Sequence, residues 1–215
     1  MTKNQFLKTV FVLNESFFKE KGFVTDKKTF EFIKKDENGY EKIQISCAKV
    51  GTRFYLTYGL ILRINRLNEL INPFSGTNEV YWKERGTILI SSVYLKLDIN
   101  NKQYSIDKDE DIPIVNNDFV HLMNEKGFAW FDKYRNNIAV LDTELNGNKP
   151  VYPEYIQLIM KPIYGIAAAY LNKNPGFNEI VKKHLMFWEE KAKANPVFKN
   201  DMERIKNLIK HLKEI

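Results

Sequence analysis

The sequence predicts an α+β protein with its strands gathered early and its helices late. Three observations carry that expectation. A helical stripe (Phe6, Val10, Leu13, Phe17) stops at Gly22-Phe23, two-residue alternation then runs from Thr29 to Leu60, and residues 113–215 return to helical spacing. A one-faced antiparallel sheet of four to five strands needs its apolar side covered, and the first helix is the nearest cover.

The first helix is expected from Asn4 to Lys21, with Gly22 in the left-handed position beyond its end and Phe23 folding back on the last turn. Phe30 to Lys34 reads as a strand. Asp36-Glu37-Asn38-Gly39 reads as a turn in which Asn38 and Gly39 take positive φ. In the next strand Ile43, Ile45 and Cys47 share one face, while Lys42, Gln44 and Ser46 share the other. After Gly51 the alternation resumes, with Phe54, Leu56, Tyr58 and Leu60 opposed to Arg53, Tyr55 and Thr57.

Between Asn65 and Gly86 the pattern weakens to a short helical turn over Leu67 to Ile71 and a loop at Asn72-Pro73-Phe74-Ser75-Gly76. Thr87 to Ile99 is rich in β-branched residues and predicts a fourth strand, followed by a turn at Asn100-Asn101 and a short piece from Gln103 to Ile106. The remaining segments read as helices. One is capped by Asn116 or Asn117 and stops at Gly127-Phe128, as the first stopped at Gly22-Phe23. A second carries Phe131, Tyr134, Ile138, Leu141 and Leu145; a third runs from Pro150 to Asn172, bent near Pro162. Ile180, Val181, His184, Leu185 and Trp188 form the stripe of a fourth. Ile205, Leu208, Ile209, Leu212 and Ile215 form that of a fifth, capped at Asn200-Asp201. The element types divide the chain into a helix-plus-sheet region, 1–112, and a helical region, 113–215, packed on or beside it, the alternative being one continuous domain.

The chain has 215 residues, a formal net charge of +6 and one cysteine. Its lysines are interleaved with acids, which reads as a solvated surface and does not favour nucleic acid as the partner. A lone Cys47 cannot form an internal disulfide, and the N-terminus opens on an amphipathic stripe, so the expectation is a cytoplasmic protein with no signal peptide and no membrane span.

Several segments resemble a bacterial family designated domain of unknown function 4304. They are Phe17-Phe18-Lys19-Glu20-Lys21-Gly22-Phe23, Arg53-Phe54-Tyr55-Leu56-Thr57-Tyr58-Gly59-Leu60, Arg85-Gly86-Thr87-Ile88 and Lys126-Gly127-Phe128-Ala129-Trp130-Phe131. The resemblance covers roughly residues 1–135 and implies a fold more than a function.

No catalytic, metal-binding or cofactor-binding motif stands out. The three histidines, at 121, 184 and 211, lack ligand spacing, and His184 on an apolar stripe reads as a packing residue. Asp107, Asp109 and Asp111 fall on odd positions of a calcium loop, but Ile112 and Asp118 stand where Gly and Glu are required. Cys47 points inward, away from any base, and the Ser75-Gly76 and Ser91-Ser92 pairs lack a nucleophile elbow.

Tyr81-Trp82-Lys83-Glu84-Arg85 is different, because Trp and Arg in an irregular segment are favoured anchors at interfaces. Trp82 and Arg85, with Arg53 and Tyr55 on a polar strand face, are therefore the candidate partner-binding residues. The reading is a non-catalytic interaction module, of an immunity-like or regulatory kind, with a protein partner. The alternatives are a nucleic-acid binder using sheet aromatics and an enzyme with an unrecognised pocket.

Overall fold

The computed structural model describes residues 1–84, 86–90, 105–147 and 160–215. The protein is α+β: an N-terminal helix, an antiparallel sheet, then C-terminal helices. It forms two compact units, one of residues 1–63 and 88–135, the other of residues 64–87 and 136–215.

In the first unit α1 (Lys3–Glu20) starts one residue earlier than its apolar stripe indicates, because Thr2 and Gln5 form a capping box. The Gln5 amide donates to Thr2 Oγ1 (3.3 Å) and the Thr2 amide donates to Gln5 Oε1 (2.8 Å). Thr2→Ala is expected to lower stability by about 0.5–2 kcal/mol. A urea-unfolding midpoint equal to wild type would show that the cap contributes nothing.

At the other end Gly22 sits at φ +83°, Phe23 N donates to Phe18 O (2.9 Å) and Gly22 N to Lys19 O (2.9 Å), closing the helix as its sequence indicates. The buried stripe of α1 is Phe6, Leu7, Val10, Phe11, Asn14 and Phe18. Leu13, placed on that stripe by its spacing, is 42% exposed. The stripe is turned because a polar residue, Asn14, occupies its centre: Asn14 Nδ2 donates to Val10 O (2.8 Å) and to Asn116 Oδ1.

The sheet has six strands among the described residues: β1 (Val24–Asp26), β2 (Glu31–Asp36), β3 (Gly39–Val50), β4 (Arg53–Ile64), β5 (Ile88–Ile90) and β6 (Ser105–Ile106). They run in the order β1-β2-β3-β4-β5, and β6 also pairs with β4. The short edge strand β1 was not legible as a strand. At the β2–β3 turn Gly39 (φ +152°) supplies the positive φ, but Asn38 does not. Asp36 Oδ1 instead accepts from both Asn38 N (2.8 Å) and Gly39 N (3.1 Å).

Ile43, Ile45, Cys47, Phe54, Leu56, Tyr58 and Leu60 are all buried, as the alternation requires. Phe6 stacks on Phe54 (centroids 4.4 Å) and Phe11 on Phe32 (4.5 Å), so α1 covers that face. Of the expected fourth strand, Ile88–Ile90 is present, and residues 91–104 lie outside the described residues.

The helix expected to begin at Asn116 or Asn117 begins at Asp111, and Gly127 does not end it. α3 (Asp111–Leu122) continues through a π turn (Met123–Gly127) into α4 (Phe128–Tyr134). Asn116 is buried against Asn14 and caps nothing. A side chain on Gly127 would collide with Met123, so the glycine admits a buried methionine and does not supply a left-handed end.

The stripe from Phe131 to Leu145 belongs to two helices. Asn136 (φ +55°) interrupts the helical path and Asn137 caps α5 (Ile138–Asn146) by accepting from Val140 N (3.3 Å).

The second unit contains α2 (Asn65–Ile71), two 3-10 turns (Asn72–Phe74 and Glu79–Tyr81), α5, α6 (Met160–Leu171), α7 (Phe177–Ala194) and α8 (Lys199–Glu214). Helix α6 is its centre and packs against α2, α5, α7 and α8. Ile163 through Ala169 are buried without interruption, as expected of a helix enclosed on all sides. Pro150 and Pro153 lie outside the described residues. Helix α8 starts at Lys199 after a 3-10 turn (Pro196–Phe198) capped by Asn195, and Asp201 is buried in an ion pair with Arg204 (3.1 Å) in place of the cap expected at Asn200-Asp201. Its stripe is buried through Leu212, whereas Ile215 is 68% exposed.

Candidate functional site

Among the described residues the open edge of the sheet is β1, with the end of β2 beside it. Gly22 ends α1 and turns the chain directly into β1, which pairs antiparallel with β2 through Val24↔Ile33, Thr25↔Phe32 and Asp26↔Glu31. Asp26 Oδ1 then accepts from Lys28 N (2.9 Å) and Thr29 N (3.4 Å), tightening the turn into β2; the Lys28 amide is the main reason its pKa lies below the usual carboxylate value.

A recess of about 740 Å³ lies here, with Val24 and Ile33 as its apolar lining and Lys27, Lys28, Lys34 and Lys35 around them. Among the described residues Asp26 is the one acid in that lining, against four lysines. Lys27 reaches Glu15 at 3.5 Å and Lys34 lies 5.9 Å over the Phe23 ring. Among the described residues Lys28 and Lys35 form no ion pair.

Other basic side chains of this unit are differently placed. Lys42 pairs with Glu31 (3.1 Å), and Arg135 clasps both Asp36 and Glu41. The hydrogen bond from Arg135 holds the Asp36 carboxyl below its usual range. Burial pushes Glu41 above it, with Arg135 only partly opposing. The recess therefore gathers four lysines, of which Lys27 is partly offset by Glu15 and Lys28 and Lys35 form no ion pair among the described residues.

The candidate residues read from sequence fall in different places. Arg53 and Tyr55 lie on β4 in the first unit, where Arg53 Nε pairs with Asp107 Oδ1 (2.8 Å) and Tyr55 stands opposite Ser105 of β6. Trp82 belongs to the second unit, half-buried, its Nε1 donating to Thr77 O (2.9 Å). Arg85 lies outside the described residues. Trp82 is thus tied into its own loop.

Of the calcium-like aspartates, Asp107 serves Arg53 and Asp111 Oδ2 accepts from Lys108 N (3.2 Å). Cys47 is buried beside Ile43 and Ile45, and burial raises its thiol pKa. Among the described residues no helix is long and apolar enough to cross a membrane.

The second unit holds a polar cluster that apolar spacing does not reveal. Asp142, 1% exposed, accepts from Asn146 Nδ2 (2.8 Å), Asn172 Nδ2 (2.7 Å) and Asn174 Nδ2 (2.7 Å). Asn146 Nδ2 also donates to Gly165 O (2.9 Å), which leaves its Oδ1 to meet His184 Nε2 at 2.9 Å. That amide orientation makes Nε2 the protonated nitrogen of a neutral His184. Burial, with Lys183 as a smaller cause, pushes the His184 pKa down to about 4. Gly165 permits the arrangement, since a Cβ there would lie 2.7 Å from Asn146 Oδ1. The cluster joins α5, α6, α7 and the loop after α6.

Comparison with protein-family models, with curated proteins and with solved structures finds no match. The resemblance to family 4304 accordingly rests on the quoted residues alone.

Proposed function

We propose that this chain is a non-catalytic interaction module that takes an anionic partner into the lysine-lined recess at the sheet edge. The observation that carries the reading is the grouping of Lys27, Lys28, Lys34 and Lys35 around an apolar floor, with a single acid among them. Charge of one sign in a concave site attracts and orients an oppositely charged partner. Val24, 73% exposed, adds apolar area that a partner gains by covering. A protein partner is favoured because an acidic polypeptide offers both carboxylates and apolar side chains to this mixed lining.

A glutamate-rich peptide titrated into labelled protein at physiological salt is expected to shift the amides of residues 22–28 and 33–35 and to leave the second unit unmoved. The triple variant Lys27→Glu, Lys28→Glu, Lys35→Glu alters exposed side chains only, so the fold is retained. It is expected to bind at least about tenfold more weakly, a difference of about 1.4 kcal/mol. Equal binding by this variant would remove the recess from consideration. Tighter binding of a single-stranded oligonucleotide than of the peptide at physiological salt would replace the protein partner with a nucleic acid.

A further inference from the structure

We infer that the partner is an acidic polypeptide that adds along β1 as an extra strand, its acids flanking a short apolar centre; this rests on the recess being the binding site proposed above. The direction of the backbone carries the inference. Ile45 N donates to Phe30 O (3.0 Å), and continuing the β2–β3 register makes those two residues directly opposite. In an antiparallel pair such residues exchange hydrogen bonds and their neighbours point the other way. Phe32 and Lys34 therefore face β3, and Glu31 and Ile33 face β1. Their partners Asp26 and Val24 direct N–H and C=O toward β2, so Thr25 directs both of its groups to the open edge.

Those two groups require a donor and an acceptor in one strand. A polypeptide supplies both, and a phosphodiester has no donor. The lysines bracket the strand: Lys27 and Lys28 follow its C-terminal end, while the register carries Lys34 and Lys35 to Phe23 and Gly22 at its N-terminal end. The Lys34 Cε lies 3.7 Å from where a Gly22 Cβ would stand, which agrees with that placement.

At about 3.3 Å per residue the two basic groups are spaced for acids roughly five residues apart, with apolar side chains between them over Val24 and Ile33. A second copy of this chain is a poor occupant. Antiparallel pairing of two β1 edges places lysines of one copy against lysines of the other, and like charges there oppose association.

The test uses the peptide Glu-Glu-Val-Thr-Val-Glu-Glu, the same peptide N-methylated at its central threonine, and inorganic polyphosphate. Binding of the unmodified peptide is expected to protect the Thr25 amide from hydrogen exchange. N-methylation is expected to weaken binding at least about tenfold, since it removes the donor that meets Thr25 O. Thr25→Pro, tolerated on an edge strand whose N–H faces solvent, is expected to lose peptide affinity to a similar extent while keeping polyphosphate affinity.

If N-methylation and Thr25→Pro leave peptide binding unchanged while the triple lysine variant abolishes it, strand addition is overturned and the charged recess stands. If the lysine variant also binds normally, both fall. A concentration-dependent dimer of the free protein that Thr25→Pro dissolves would make a second copy the occupant and overturn the acidic partner.

Discussion

Replacing Phe18 with alanine is expected to destabilise the sheet-bearing unit by about 3–5 kcal/mol, the range for deleting a buried aromatic ring. Phe18 is fully buried, and its ring touches Phe32 (4.6 Å between centroids), Phe17 (4.9 Å), Phe23 (5.7 Å) and Phe119 (6.0 Å). These neighbours come from α1, β2, α3 and the chain just past the first helix, so no single one can move in to fill the space. Close-packed interiors relax only partly around such a deletion. The backbone role of Phe18, accepting from Phe23 N, survives the substitution and keeps the helix end intact. A chemical-denaturation midpoint within error of wild type would show that this aromatic group does not hold the unit together.

Phe18 also marks how far the sequence could be read. The helix end at Gly22-Phe23 was legible because it is a local device: a left-handed glycine and an apolar residue folding back. The tetrapeptide Glu-Lys-Gly-Phe, found at residues 20–23, recurs at 125–128 and does not end a helix there. There the outcome depends on Met123, whose side chain needs the space above Gly127, and a π turn carries the helix onward. That is a tertiary requirement and leaves no mark on spacing.

The alternation of β3 and β4 was legible for the opposite reason, since one buried face imposes a strict period of two. The orientation of α1 was only half legible. Asn14 occupies the middle of the buried stripe, and apolar periodicity assigns a polar residue to the wrong side.

The recess illustrates the same gap in charge. Lys27-Lys28 and Lys34-Lys35 are visible doublets, but Asp26, Glu31 and Asp36 stand beside them in sequence, so the charge looks dispersed. The antiparallel register separates what the sequence interleaves. It folds the doublets to one edge, while Asp36 is drawn to Arg135 and Glu31 to Lys42. Trp82 and Arg53 are residue types common at interfaces, and type alone does not report that each already has a partner within its own unit.

The helical unit is expected to lose stability as pH falls from about 6.5 to about 4, and His184 is expected to be the main cause. An unfolded histidine takes up a proton near its ordinary value of about 6.5, whereas the folded protein withholds it until about 4. Between those limits the unfolded chain binds more protons. The stability linked to His184 is thus fully present above pH 6.5 and drains away as the pH falls through that window. The whole shift corresponds to at most about 3 kcal/mol.

The neutral tautomer is fixed, because Asn146 Oδ1 accepts from Nε2 and Asp142 with Gly165 O hold the amide in that orientation. His184→Gln retains a donor for Asn146 Oδ1 and removes the titration. Native-state hydrogen exchange of the α6 amides between pH 7 and pH 4 is the measurement. Wild type should lose about 2–3 kcal/mol more than the glutamine variant across that range. Parallel curves for the two proteins would mean that His184 is protonated at little cost in the fold and that its burial does not set the pH dependence.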